Sequence, residues 1–132
     1  MIVTGDIENI LIQDLKTLGM PTFKKGAVPE GKVTEERVVI IVGDLKDGTR
    51  WKKVFVNVNF CIPDIKMDNT SVADKRRLLE LERIAKPIES VSTYDNTTYR
   101  YSVHEIGQEE DVELGCHFVN VRLLFEVLNI IN

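Results

Sequence analysis

Nine residues constrain this chain more than any others. From Val54 to Ile62 the sequence reads VFVNVNFCI, with Val54, Val56, Val58, Phe60 and Ile62 on one side and Phe55, Asn57, Asn59 and Cys61 on the other. A period of two over that length is the mark of a strand with one face in a core. Pro63 lacks the N–H that a ladder needs and marks the strand end. Upstream, Val38 to Val42 is an unbroken β-branched run, suited to a strand buried on both faces. Asp47-Gly48 between the two supplies residues for a tight turn, because glycine accepts positive φ without penalty. The stretch Arg37 to Asp64 is therefore expected to form a long hairpin, around which the other elements must cover the apolar face.

Two helical patterns flank it. Ile7, Ile10, Leu11, Leu15 and Leu18 make one apolar stripe, predicting a helix over residues 5–18 that Thr4 or Asp6 caps. Gly19 is placed for the left-handed position after its end, and Pro21 forbids continuation. The second helix is predicted over 72–85, with Ser71 and Asp74 at capping-box spacing and Pro87 beyond its end. Between the first helix and the hairpin, residues 20–36 form a long connection rich in Pro, Gly and charge, in which Thr22-Phe23 fits a short strand.

Two more strands close the chain. Tyr99, Tyr101 and Val103 alternate with polar residues in a strand predicted from Thr93 to His104. A last strand over Gly115–Asn129 is apolar on much of both faces, and as a free edge it would invite pairing with another chain. The segment HEIGQEEDVELG between them reads as a long acidic connection. The order α-β-β-α-β-β implies an α+β fold in a single domain, residues 1–132. It would hold one mainly antiparallel sheet of about four strands, with both helices on one face.

Composition sets limits on function. The formal net charge is −4 and the isoelectric point is near 5.2, a balance that argues against a dominant nucleic-acid binder. No apolar run approaches the ~20 residues of a membrane span, and no signal-peptide pattern opens the sequence. The expectation is a chain made in a reducing compartment, with Cys61 and Cys116 as free thiols and Cys61 a small buried hydrophobe. His104, His117 and the two cysteines fit no zinc spacing, and no cofactor motif is present. Asp44 ends one hairpin strand and Asp64-Ile65-Lys66 ends the other, the residue types with which PD-(D/E)xK nucleases hold Mg²⁺. That spacing is short, and the more ordinary reading is a pair of solvated turn carboxylates. Asn57 and Asn59 are unusual inside a strand and mark a polar face. Trp51, Tyr94, Tyr99 and Tyr101 are either core aromatics or interface anchors.

The chain as a whole resembles the tail terminator and tail-completion proteins of tailed bacteriophages, and related head–tail joining proteins. The resemblance is carried by LKTLGMP, ERVVIIVG, KVFVNVNFCIPD, SVADKRRLLELERIA and CHFVNVRLLFEVLN, in that order. It implies a non-enzymatic subunit, without cofactor or metal, of a homo-oligomeric ring that is typically hexameric. Such a ring caps the tail tube and joins it to the head, so the partners would be other tail or head-completion proteins. DNA would pass through without sequence-specific binding, and the protein would be a virion component made in the bacterial host cytoplasm. The acidic connection (Glu105, Glu109, Glu110, Asp111 and Glu113) and the long loop (Lys24 and Lys25 onward) would then reach a neighbour or face the lumen. Negative charge lining such a channel would let DNA slide. A soluble adaptor domain unrelated to phage, or the nuclease using Asp44, Asp64 and Lys66, are the alternatives.

Overall fold

A computed structural model describes residues 1–48 and 50–129. The first helix, α1 (Thr4–Leu15), continues as a 3₁₀ turn over Lys16–Leu18. Its start is set by Asp6, whose carboxylate accepts the Val3 N–H at 2.9 Å. Gly19 takes a left-handed φ of 74° and donates its N–H to the Lys16 carbonyl, which closes the turn. Then follow β1 (Thr22–Lys24), β2 (Arg37–Val42), β3 (Trp51–Pro63), β4 (Ile65–Met67) and β5 (Thr70–Val72). The chain finishes with α2 (Lys75–Ala85), β6 (Glu89–Tyr94), β7 (Thr97–Asp111) and β8 (Cys116–Leu128).

Six of these strands form one curled sheet in the order β1-β2-β3-β8-β7-β6. β1 lies parallel to β2, and every other neighbouring pair is antiparallel. β4 and β5 make a separate hairpin. The four-stranded antiparallel sheet expected from the sequence is thus corrected to a mostly-β, mixed six-stranded half-barrel plus a small second sheet. Three physical causes account for the difference. The turns at Asp68-Asn69 and Asp95-Asn96 place consecutive residues at positive φ, as two-residue hairpin turns demand, and each adds a hairpin where the sequence reading saw loop or one strand. β1 recruits a parallel neighbour by way of the long loop. And β7 runs on to Asp111 through what had looked like a connection.

That last extension depends on a bulge. Before it, Tyr99, Tyr101 and Val103 face Val127, Phe125 and Leu123; after it, Ile106 and Gln108 face Val121 and Val119. One extra residue at His104 moves the apolar set from odd to even numbers. The period-two signal therefore breaks in the middle of a continuous strand. β8, expected as a free edge, lies in the sheet's centre between β3 and β7, with Val119, Val121, Leu123, Phe125 and Val127 buried on its helix-covered face.

Both helices pack on the face that carries Val54, Val56, Val58, Phe60 and Ile62. Ile7 and Leu11 of α1 and Leu78, Leu81 and Ala85 of α2 complete that core. Tyr99 and Tyr101 belong to it too, stacked on Phe125 at ring-centroid separations of 5.3 and 5.6 Å. α2 starts later than the capping-box spacing implied. Asp74 is its N-cap and accepts the Arg77 N–H at 3.3 Å, while Ser71 lies in β5.

Candidate functional site

Among the described residues the opposite face of the sheet carries no helix, and its side chains form graded bands. At one end Arg100 lies over the Trp51 ring at 3.9 Å and reaches Glu126 at 3.1 Å. Next, Arg122 lies over Phe55 at 4.1 Å, with His104 tilted against the same ring at 5.0 Å. Then Asn120 donates its amide to Asn59 at 2.7 Å and to Asn57 at 3.3 Å. The two strand asparagines thus serve a cross-strand amide ladder rather than bare solvent.

Beyond the asparagines lies a second, small core. Val33 of the long loop covers Cys61 and Cys116, with Val39, Leu114 and Phe118 around them. The loop is tied down there by the Val33 N–H, which donates to the Leu114 carbonyl at 2.8 Å. Its far end is clamped by a two-bonded ion pair from Arg77 to Glu36, both distances 2.8 Å. Glu36 beside it raises the Arg77 pKa above the ordinary guanidinium value. Arg37 stands directly opposite Cys61 in the β2–β3 ladder. Cys116 is the diagonal neighbour of Cys61, since Cys61 faces Phe118 and Pro63 faces Cys116. A hydrogen bond from the Cys116 thiol holds Cys61 below the usual thiol range, and the Arg37 charge adds to this against the opposing pull of burial. Donating that bond, together with burial, pushes Cys116 well up.

The acidic residues expected in the connection run from mid-sheet, at Glu105, to this same end. They occupy a strand rather than a loop: Glu105, Glu109, Glu110 and Asp111 all lie in β7, and the turn is only Val112–Gly115. Their side chains consequently divide between the faces. Glu105 points to the helix-free face and meets Arg122 at 3.8 Å. Glu110 points to the helix face, opposite His117, and its Oε2 is 3.4 Å from His117 Nε2. The other ring nitrogen, Nδ1, lies 2.6 Å from the Asp64 carboxylate. Asp111 accepts the Leu114 N–H at 3.1 Å and so shapes the turn, in which Glu113 is exposed. Lys24 ends β1, and Lys25 follows it exposed, its N–H bonded to the Ile40 carbonyl. The structure thus brings the middle of the long loop, at Val33, against the acidic hairpin tip, while Lys24 and Lys25 lie beside Ile40 in mid-sheet.

It separates the nuclease set. Gly43 hydrogen-bonds to Phe55 near the start of β3, whereas Asp64 follows its end at Pro63. At ~3.3 Å per residue, Asp44 and Asp64 stand roughly 30 Å apart and cannot share an ion. Lys66 is exposed in β4. Among the described residues, no three His, Cys, Asp or Glu side chains are grouped to hold a metal. Comparison of the chain with protein-family models and with curated proteins finds no match.

The Asp64–His117–Glu110 group and the Arg37–Cys61–Cys116 group were both invisible to sequence reasoning. Their members are 7 to 79 residues apart in the chain and meet only through the register of β2, β3, β7 and β8.

Proposed function

We propose that this chain is a structural subunit of a closed ring, of the kind that caps the tail tube of a tailed bacteriophage and joins it to the head. The tail and head assignment rests on the resemblance described above. The ring rests on one observation: the sheet ends in two different open edges, β1 and β6. β6 is mostly exposed along its length, and Val91 in its middle is 74% exposed. An edge strand bearing an exposed apolar side chain is a template for another strand. Joining β6 of one subunit to β1 of the next is a head-to-tail contact between unlike surfaces, and such contacts close into rings when the rotation permits. A curled sheet supplies rotation at every step.

In this reading the chain works without chemistry, as a virion component made in the host cytoplasm. The acidic tip and the middle of the long loop, joined at Val33, meet the neighbouring ring component or line the opening. Charges there keep DNA mobile rather than bound, since like charge repels the phosphate backbone.

The test is molar mass by light scattering behind size exclusion, over a wide range of protein concentration. The expected result is a species six times the 15.1 kDa of one chain. A mass of one chain throughout, with no change when tail-tube protein is added, overturns the ring and favours a monomeric adaptor.

A further inference from the structure

We propose that Cys61 and Cys116 are a redox-active thiol pair, in which Cys61 is the residue attacked by a small peroxide and Cys116 closes a disulfide onto it. This inference stands apart from the ring proposal.

The geometry carries it. Arg37 is 7% exposed, and its Nε has no hydrogen-bond partner among the described residues. Among the described residues its guanidinium hydrogen-bonds from Nη1 to the Pro29 carbonyl at 3.4 Å. A guanidinium so placed needs an anion, because a buried charge without a partner is costly. The group directly across the ladder is the Cys61 side chain, itself 7% exposed. The Cys61 thiol lies 3.9 Å from the Asn59 carbonyl, to which it donates; once that proton is lost, the thiolate answers the charge of Arg37. Cys116, 1% exposed, lies on the diagonal with a proton to donate. The contact with Cys61 and burial keep the proton on that second thiol, and Asp111, paired with it in the β7–β8 ladder, adds to this. The negative charge thus falls on one sulfur and the proton on the other. That is the division of labour between an attacking thiolate and a resolving thiol.

The chemistry balances with hydrogen peroxide as the oxidant. The Cys61 thiolate attacks one peroxide oxygen and the O–O bond breaks. The departing hydroxide takes up a proton to become water, leaving Cys61 as the sulfenic acid. The Cys116 sulfur then attacks the Cys61 sulfur, and the S–O bond breaks. The hydroxyl leaves with the Cys116 proton as a second water. Two electrons pass from the thiols to the peroxide, and one S–S bond forms.

Diagonal cross-strand residues stand ~7–8 Å apart at Cα, somewhat beyond the 4.4–6.8 Å that a disulfide usually spans. The strand ends must therefore close by about 1 Å. The place is suited to that, because β3 stops at Pro63 and β8 begins at Cys116. The loop over the pair, held at Val33, is the cover that an oxidant must displace.

The experiment treats the purified full chain with hydrogen peroxide near pH 7, then denatures it in an alkylating agent and reads the intact mass. The expected product is a monomer lighter by two hydrogens, alkylated at neither cysteine and restored by a thiol reductant. Cys116→Ser should leave Cys61 as a sulfenic acid that dimedone traps. Cys61→Ser should give no dimedone adduct on Cys116. In the Cys116→Ser background, Arg37→Gln should slow trapping, because the thiolate loses the cation across the ladder, and Arg37→Lys should restore most of the rate. If the Arg37 variants do not fold, the two serine variants decide alone. A chain that stays reduced, equal labelling of the two cysteines, or a disulfide-linked dimer overturns the proposal.

Discussion

Tyr101 joins the sheet to α1 through a single hydrogen bond, its hydroxyl donating to Asp14 at 2.7 Å. Burial first, and then the hydrogen bond to Asp14 and the charge it carries, push its pKa far above the usual phenol range. The folded state thus holds the phenolic proton where the unfolded chain, with an ordinary value near 10, releases it. The stability from this bond is complete below about pH 10 and drains away as pH rises beyond it. Tyr99 is shifted upward as well, by burial and by Asp14, and steepens the loss. Tyr101→Phe should cost about 1–2 kcal/mol at neutral pH, because Asp14 loses its donor, and should flatten the alkaline limb. Urea titrations at pH 7 and at pH 10–11 check both effects. Gly48 gives a second prediction at this scale. A Cβ there would clash with the Trp51 carbonyl oxygen. Gly48→Ala must therefore shift backbone, and its melting temperature should fall well below that of Gly5→Ala, which meets nothing within 4 Å.

Elements whose signals are local could be read from the sequence. Gly19 and Pro21 stop α1 because both act through their own backbone. β3 declared itself by nine alternating residues, and nothing interrupts them. Where a signal depended on a partner, it failed. The bulge at His104 exchanged odd for even, so β7 looked like a short strand with an acidic tail. β8 looked like an edge because apolarity on both faces says buried without saying between what. The acidic residues were visible as a cluster, but their division between two faces was not, since it follows from the strand they occupy. The start of α2 allows a direct comparison of two readings. Asp74→Ala should cost about 1 kcal/mol through the lost N-cap bond. Ser71→Ala, in exposed β5, should stay within ~0.5 kcal/mol. Equal losses in thermal melts of the two variants would restore the capping box.

At the scale of the whole molecule, one face of the sheet is sealed by helices and one end of the other face by the long loop, which leaves β1 and β6 as the sheet's edge strands, each paired on one side only. β6 holds to β7 through six registered residues but contributes little to the core, with Val91 turned outward. That division makes fold and assembly separable by mutation. Val91→Lys puts a charge where a neighbouring strand would dock, the device by which edge strands are kept apart. Folding should hardly notice, because an exposed substitution away from caps, cavities and ion pairs changes stability by ~0.5 kcal/mol or less. Assembly should fail, because each subunit uses that edge once and a ring has no redundant contact to replace it. The expected outcome is an unchanged melting curve, with the light-scattering mass falling to one chain at concentrations where the parent is a ring. Persistence of the ring would move the interface off β6, to the Arg- and Asn-lined face or the acidic tip. Glu109→Lys with Glu113→Lys, on the exposed tip, would then be the variant that dissociates it.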